Sequence, residues 1–172
     1  RVDERMYRIR LNDPCNLRLD GKALIDGTAW DYAYVELGDP GIPHAVVPVK
    51  NLRDFDTAKL RELGRRLRYY PEFPKGANVN FYEIIGADHI YERTYERGGE
   101  DFTYACGTGT GSVVTVLTLL GKVSGHQVRV DMTGGQLMVD VEREGNQVTN
   151  LYLTGPTNIV CKGEITDENL VL

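Results

Sequence analysis

Cys106 stands directly before Gly107-Thr108-Gly109-Thr110-Gly111, and the apolar residues Val113, Val114, Val116, Leu117, Leu119 and Leu120 follow at helical spacing. The first turn of a helix therefore falls on or just after the cysteine. A helix N-terminus leaves backbone N–H groups unpaired and carries partial positive charge, which attracts carboxylates and favours a thiolate. The sequence thus predicts that Cys106 titrates below the ~8.5 of an ordinary thiol. Glu96 and Arg97 precede it in Tyr95-Glu96-Arg97-Gly98. A reactive thiol, free amides and an acidic and a basic side chain on one short segment suit proton chemistry on an anionic substrate.

Each residue also has an ordinary structural reading. The glycines of 107–111 resemble a phosphate loop, but Ser112 replaces the third glycine of the dinucleotide fingerprint and no Lys-Ser/Thr ending is present, so nucleotide binding is set aside. They fit better as close-approach backbone for a small carboxylate, with the Thr108 hydroxyl as an added donor. A free cysteine is most often a small buried hydrophobe. Cys15 lies in the turn-forming Asn12-Asp13-Pro14-Cys15-Asn16, and Cys161, in a strand pattern, reads as a core residue. His44 opens an apolar strand, where a structural histidine is the commoner outcome. Asn78 and Asn80 alternate and share one strand face. Glu96 and Arg97 have the reading of a surface ion pair, which contributes little.

The elements that must hold these residues are mostly strands. Short apolar or alternating runs bounded by Gly, Pro, Asn and Asp are expected at Met6 to Leu11, Asn16 to Leu19, Lys22 to Ile25, Tyr32 to Leu37, His44 to Val49, Asn78 to Ile85 and His89 to Tyr95. Further strands are expected at Gln127 to Asp131, Gln136 to Val141, Gln147 to Leu153 and Ile159 to Ile165, with turns at Gly134-Gly135 and Glu144-Gly145-Asn146. Two helices are expected: an amphipathic one over Phe55 to Arg68, begun near Asp54 or Asp56, and one over Gly107 to Leu120, ended at Gly121. The second is apolar around most of its circumference, which predicts burial inside a curved sheet.

Composition narrows the function classes. A net charge of −5 and no Lys/Arg run interleaved with aromatics argue against nucleic acid as the main partner, and the basic cluster Arg61 to Arg68 reads as a solvated helix face. No apolar run approaches the roughly 20 residues that span a bilayer, so no membrane partner is expected and the cytoplasm is the expected location. Three cysteines, widely spaced, read as reduced thiols, and His44, His89 and His126 do not fall at ligand spacing, so no metal is expected.

The ordered set Gly41-Ile42-Pro43-His44-Ala45-Val46, Asn78-Val79-Asn80-Phe81, Tyr95-Glu96-Arg97-Gly98, Ala105-Cys106-Gly107-Thr108-Gly109, Gly134-Gly135-Gln136-Leu137 and Leu153-Thr154-Gly155-Pro156 resembles the C-terminal half of diaminopimelate epimerase, over about Met6 to Gly163. The resemblance implies an α+β fold, a mostly antiparallel sheet wrapped around a buried central helix, as one half of a pseudo-symmetric molecule. The 172 residues are then one domain, and the N-terminal half that bears the other cysteine is the expected partner. It implies a cofactor-independent isomerase of lysine biosynthesis that interconverts LL- and meso-diaminopimelate. In that reading Cys106 is one of two acid/base groups, with His44 and Glu96 assisting the chemistry. Gly107 and Thr108 bind the carboxylate at the reacting carbon, Glu96 and Arg97 contact substrate, and Asn78 meets its far end. A homodimer is possible, and the isolated chain is expected to be inactive.

Two departures from the family pattern bear on the site. The usual Gly-Asn-Pro-His reads Gly41-Ile42-Pro43-His44, so one substrate-facing amide is missing, and the stretch from Glu96 to Cys106 is one residue longer than the commonest form. Either Asn80 or Asn51 supplies the amide, or the substrate is another amino acid. Competing readings are a cysteine hydrolase pairing Cys106 with His44, and a non-catalytic half-module.

Overall fold

The computed structural model describes residues 1–164. In chain order these form β1 (Met6–Arg10), β2 (Pro14–Ile25), β3 (Thr28–Leu37), β4 (Ile42–Pro48), α1 (Thr57–Arg68), β5 (Asn78–Gly86), β6 (His89–Tyr95), β7 (Phe102–Thr103), α2 (Gly107–Leu119), β8 (Val128–Met132), β9 (Gly135–Glu144) and β10 (Gln147–Pro156). All strands join one sheet in the order β1-β10-β9-β8-β6-β5-β4-β3-β2, with β7 against β6. The fold is therefore α+β.

Among the described residues only β4–β5 and β6–β8 pair in parallel; the other pairings are antiparallel. A parallel pair needs a crossover connection, and each of these two contains a helix, α1 between β4 and β5 and α2 between β6 and β8. Both crossovers step the same way along the sheet, but β6 runs opposite to β5. Two right-handed crossovers on strands of opposite direction must put their helices on opposite faces.

Two cores follow from this. Val79 and Phe81 of β5 pack with Leu60, Leu63 and Leu67 of α1. Tyr82 of β5 and Ile90 of β6 pack with Val113, Val114 and Leu117 of α2. Strands β4 and β5 are covered on both faces, which is why their burial is continuous rather than alternating. Helix α2 also meets β2, β3, β9 and β10, strands from both ends of the sheet order, so the sheet must bend about it. Gly109 to Thr118 are all buried. Two of the hydroxyls this would strand turn back on the helix, Ser112 Oγ donating to the Thr108 carbonyl at 2.8 Å and Thr118 Oγ1 to that of Val114 at 2.7 Å, while Thr115 Oγ1 has no partner among the described residues.

Several boundaries differ from the sequence expectation. Asn16 to Leu19 and Lys22 to Ile25 are one strand, β2, with register breaks around Arg18. Strand β3 starts at Thr28 rather than Tyr32, because Asp26 and Gly27 both take positive φ (49° and 77°) and close a tight hairpin. Helix α1 starts at Thr57, with Asp56 as N-cap accepting from the Lys59 N–H at 2.8 Å. The strand expected at Ile159 to Ile165 is not formed over 159–164, and Ile165 lies outside the described residues. Cys161 is accordingly exposed, not a core residue; the pattern was right for a strand, but no sheet edge receives it.

Candidate active site

Parallel pairing sets His44 of β4 opposite Asn78 of β5, and antiparallel pairing sets Asn80 opposite Thr94 and Tyr82 opposite Glu92 of β6. Period-2 alternation turns His44, Asn78, Asn80, Glu92 and Thr94 to the face that α2 covers. His44 and Asn80 are fully buried. The Thr94 hydroxyl donates to Asn80 Oδ1 at 3.0 Å, so the Asn80 amide nitrogen is the end that meets His44 Nδ1 at 3.2 Å and the Ala45 carbonyl at 3.3 Å. Nδ1 is then an acceptor, and the ring proton sits on Nε2, which has no partner among the described residues. Burial, with the Arg97 guanidinium as a second cause, pushes the His44 pKa down to about 3, so the ring is neutral.

Asn78 holds the segment after β6. Its Nδ2 donates to the Pro43 carbonyl at 3.2 Å, and its Oδ1 accepts the Arg97 N–H at 2.8 Å. The chain then turns, with the Glu100 N–H on the Glu96 carbonyl and the Glu96 N–H on the Asp101 carbonyl, both at 2.9 Å. Glu96 is half-buried and Arg97 exposed; the Arg97 guanidinium donates to the Lys75 carbonyl at 3.0 Å.

Cys106 is the N-cap of α2, in extended backbone (φ −137°, ψ 101°) and with no side-chain capping bond. Its Sγ lies 3.6 Å from Thr108 Oγ1. The Thr108 hydroxyl and the Gly109 N–H favour the thiolate, but burial outweighs them, and the Glu92 and Glu96 carboxylates add to it. The thiol is therefore raised, which corrects the expectation of a low pKa. The helix terminus acts as foreseen, but the desolvation that comes with an all-round buried helix is the larger effect. Gly107 and Thr108 are half-buried in the first turn, with the amides that a helix start leaves free. Gly109 has a reason of its own: a Cβ there would overlap Asn80 Oδ1 and lie 3.2 Å from Cys106 Sγ.

The structure thus brings Cys106, Gly107, Thr108, Glu96, Arg97, Asn78 and His44 into one region. His44 does not bond Cys106; its Nδ1 is taken by Asn80, which counts against a Cys–His hydrolase pair. Neither proposed substitute for the missing amide is placed to act. Asn80 is spent inside the fold, and Asn51 follows β4 at the end opposite Ile42. Ile42 itself is 38% exposed. Among the described residues no group of three or more His, Cys, Asp or Glu is placed to hold a metal ion, and no helix is long and apolar enough to cross a membrane.

Sequence reasoning passed over Glu92 and Thr110. Glu92 is 1% exposed and Thr110 wholly buried, and the Thr110 hydroxyl lies 2.6 Å from Glu92 Oε1. The signal was available, since Ile90, Glu92 and Thr94 share a strand face and Thr110 is one turn beyond Cys106.

The family profile described as diaminopimelate epimerase matches residues 38–160. The diaminopimelate epimerase of Chlorobaculum tepidum is 39% identical over 164 residues, 95% of this chain and 59% of that protein. That of Leptospira biflexa is 37% identical over 141 residues, 82% of this chain and 46% of that protein. This chain belongs to the diaminopimelate epimerase family, and it spans about half the length of the curated relatives it matches. Among solved structures, a hydroxyproline epimerase from Agrobacterium vitis superposes with a TM-score of 0.64 at 20% identity, covering 88% of this chain and 50% of that one. A probable proline racemase from Agrobacterium radiobacter K84 gives 0.63 at 21% identity, covering 88% and 51%. At these identities the likeness is one of fold.

Proposed function

We propose that this chain is the C-terminal half of a cofactor-independent amino-acid epimerase that interconverts LL- and meso-diaminopimelate in lysine biosynthesis in the cytoplasm, and that α2 is the central helix of one half of a pseudo-symmetric molecule. The carrying observation is a half-buried thiol at the mouth of α2 beside free first-turn amides, the Glu96–Arg97 segment and a neutral histidine. In the proposed reaction, a thiolate on the opposing half removes the α-proton from one face of the substrate, and the Cys106 thiol delivers its own proton to the other. The configuration inverts, and the two sulfurs exchange protonation states. Without a Schiff base the α-carbon is weakly acidic, so the N–H groups of Gly107 and Thr108 serve to stabilise the charge that develops on the substrate carboxylate. Burial of Cys106 suits this, because it holds the resting thiol protonated and ready to donate. Arg97 and Asn78 take the rest of the substrate, and Glu96 and His44 assist.

The test is exchange of solvent deuterium into the α-position together with change in optical rotation. The isolated chain is expected to give no inversion, and a two-half enzyme robust inversion that Cys106→Ala reduces by at least about 10³-fold. Inversion by the isolated chain would sink the two-half reading.

Ile42 favours a second reading within the same chemistry. Burying a polar distal group against an isoleucine costs on the order of 2 to 7 kcal/mol without a partner, and Asn80 is not available to help. A substrate with a less polar distal end would escape that cost. If diaminopimelate is the substrate, its kcat/KM exceeds that of other amino acids and rises further with Ile42→Asn; preference of the wild type for an amino acid lacking a distal charge establishes the second reading.

A further inference from the structure

Glu92 sits on β6 beneath the first turn of α2, 1% exposed. Its Oε1 is 2.6 Å from Thr110 Oγ1, and that same hydroxyl is 3.0 Å from the carbonyl oxygen of Cys106. Two acceptors thus compete for one hydroxyl hydrogen, while Glu92 Oε2 has no partner among the described residues. If Glu92 is ionised, the Thr110 hydrogen goes to the carboxylate and the Cys106 carbonyl loses it. If Glu92 is protonated, its O–H donates to Thr110 Oγ1 and the Thr110 hydrogen is free for the Cys106 carbonyl. Only the neutral acid makes both hydroxyl bonds at once, adding the Thr110 hydroxyl to the Thr110 N–H that the Cys106 carbonyl already accepts at 2.8 Å.

The surroundings agree. From β5 the groups facing Glu92 are Tyr82 and Asn80, and from β6 itself Ile90 and Thr94. Strand β8 turns Val130 and Met132 inward and keeps Arg129 and Asp131 on its other face. From α2 come Thr110 and Cys106. None of these is a cation. Burial, partly opposed by the Thr110 hydroxyl, raises the Glu92 pKa to about 7.

We propose that Glu92 is a positioning residue for Cys106: as a neutral acid it donates to Thr110, which directs its hydroxyl at the Cys106 carbonyl and fixes the residue on which α2 begins. This rests on Cys106 being the reactive thiol, but it concerns the setting of that thiol and not the reaction. Loss of the Glu92 proton would both slacken the N-cap and place a negative charge near the sulfur.

The pH profile of Cys106 alkylation by iodoacetamide, followed on the Cys106 peptide by mass spectrometry, tests this on the chain itself without any turnover. Glu92→Gln keeps a neutral donor toward Thr110 and removes the charge, so its profile should lie at lower pH, with alkylation at pH 8 at least about threefold faster than wild type. Thr110→Ser should match wild type, whereas Thr110→Val, which cannot relay the bond, should displace the profile. Coincident profiles for wild type and Glu92→Gln would overturn the proposal. Should Glu92→Gln not fold, coincidence of Thr110→Val with wild type would overturn it in the same way. Failure of the two-half enzyme to epimerise diaminopimelate would leave these profiles unchanged, so the two ideas fail separately.

Discussion

His44 and Glu92 are buried on the same face of the sheet and carry opposite pH penalties. His44 has a folded pKa pushed down to about 3 from an ordinary 6.5, so the unfolded chain gains a proton first and stability is lost as pH falls below 6.5. Glu92 has a folded pKa pushed up to about 7 from 4.5, so its contribution is present below 4.5 and is lost as pH rises toward 7. Between 4.5 and 6.5 the two slopes oppose each other, and the wild type should be nearly pH-independent there. Glu92→Gln should unmask the His44 slope, with stability rising by roughly 3 kcal/mol from pH 4.5 to 6.5 in urea titrations; a flat response from that variant would contradict the assignment. These two residues differ in how far they could be read in advance. The position of His44 followed from its motif, but its charge did not, because desolvation depends on how completely α2 and Asn80 cover it. Cys106 shows the same divide: the helix mouth was legible, and the burial that outweighs it was not.

At the scale of elements, helix α2 was readable because nearly every position from 109 to 118 is apolar, small or a hydroxyl that returns to its own backbone. Helix α1 was readable for the opposite reason, an apolar stripe of Leu60, Leu63 and Leu67 under an arginine-rich face. Strands that pair were found except the two-residue β7, too short to show alternation, and the one at Ile159 was not a strand because alternation reports a face to bury but not a neighbour to bond. Glycines in α2 carry information that propensity alone misreads. Alanine ordinarily stabilises a helix over glycine by about 1 kcal/mol, yet at Gly109 the added methyl would meet Asn80 and crowd Cys106. Gly109→Ala is expected to destabilise by on the order of 1 to 3 kcal/mol and to slow Cys106 alkylation, both measurable on one preparation by urea titration and thiol labelling. A gain in stability would show that Asn80 can yield.

On the scale of the whole molecule, the sheet closes its chain order by pairing its first strand with its last. Met6 lies opposite Pro156, and the Thr157 N–H donates to the Arg5 carbonyl at 2.7 Å. Residues 5 and 157 therefore leave the sheet side by side, at the same end of an antiparallel ladder. The connectivity that places them so also places Cys106 far along the chain from either, on a helix whose start is set by β5 and β6. This geometry has a mechanical consequence. Tension applied between positions 5 and 157 would load the β1–β10 hydrogen bonds one after another, as a zipper, and not all together in shear. In a single-molecule pulling experiment the unit should open at low force from this seam, with the α2 core giving way only after β1 has peeled off.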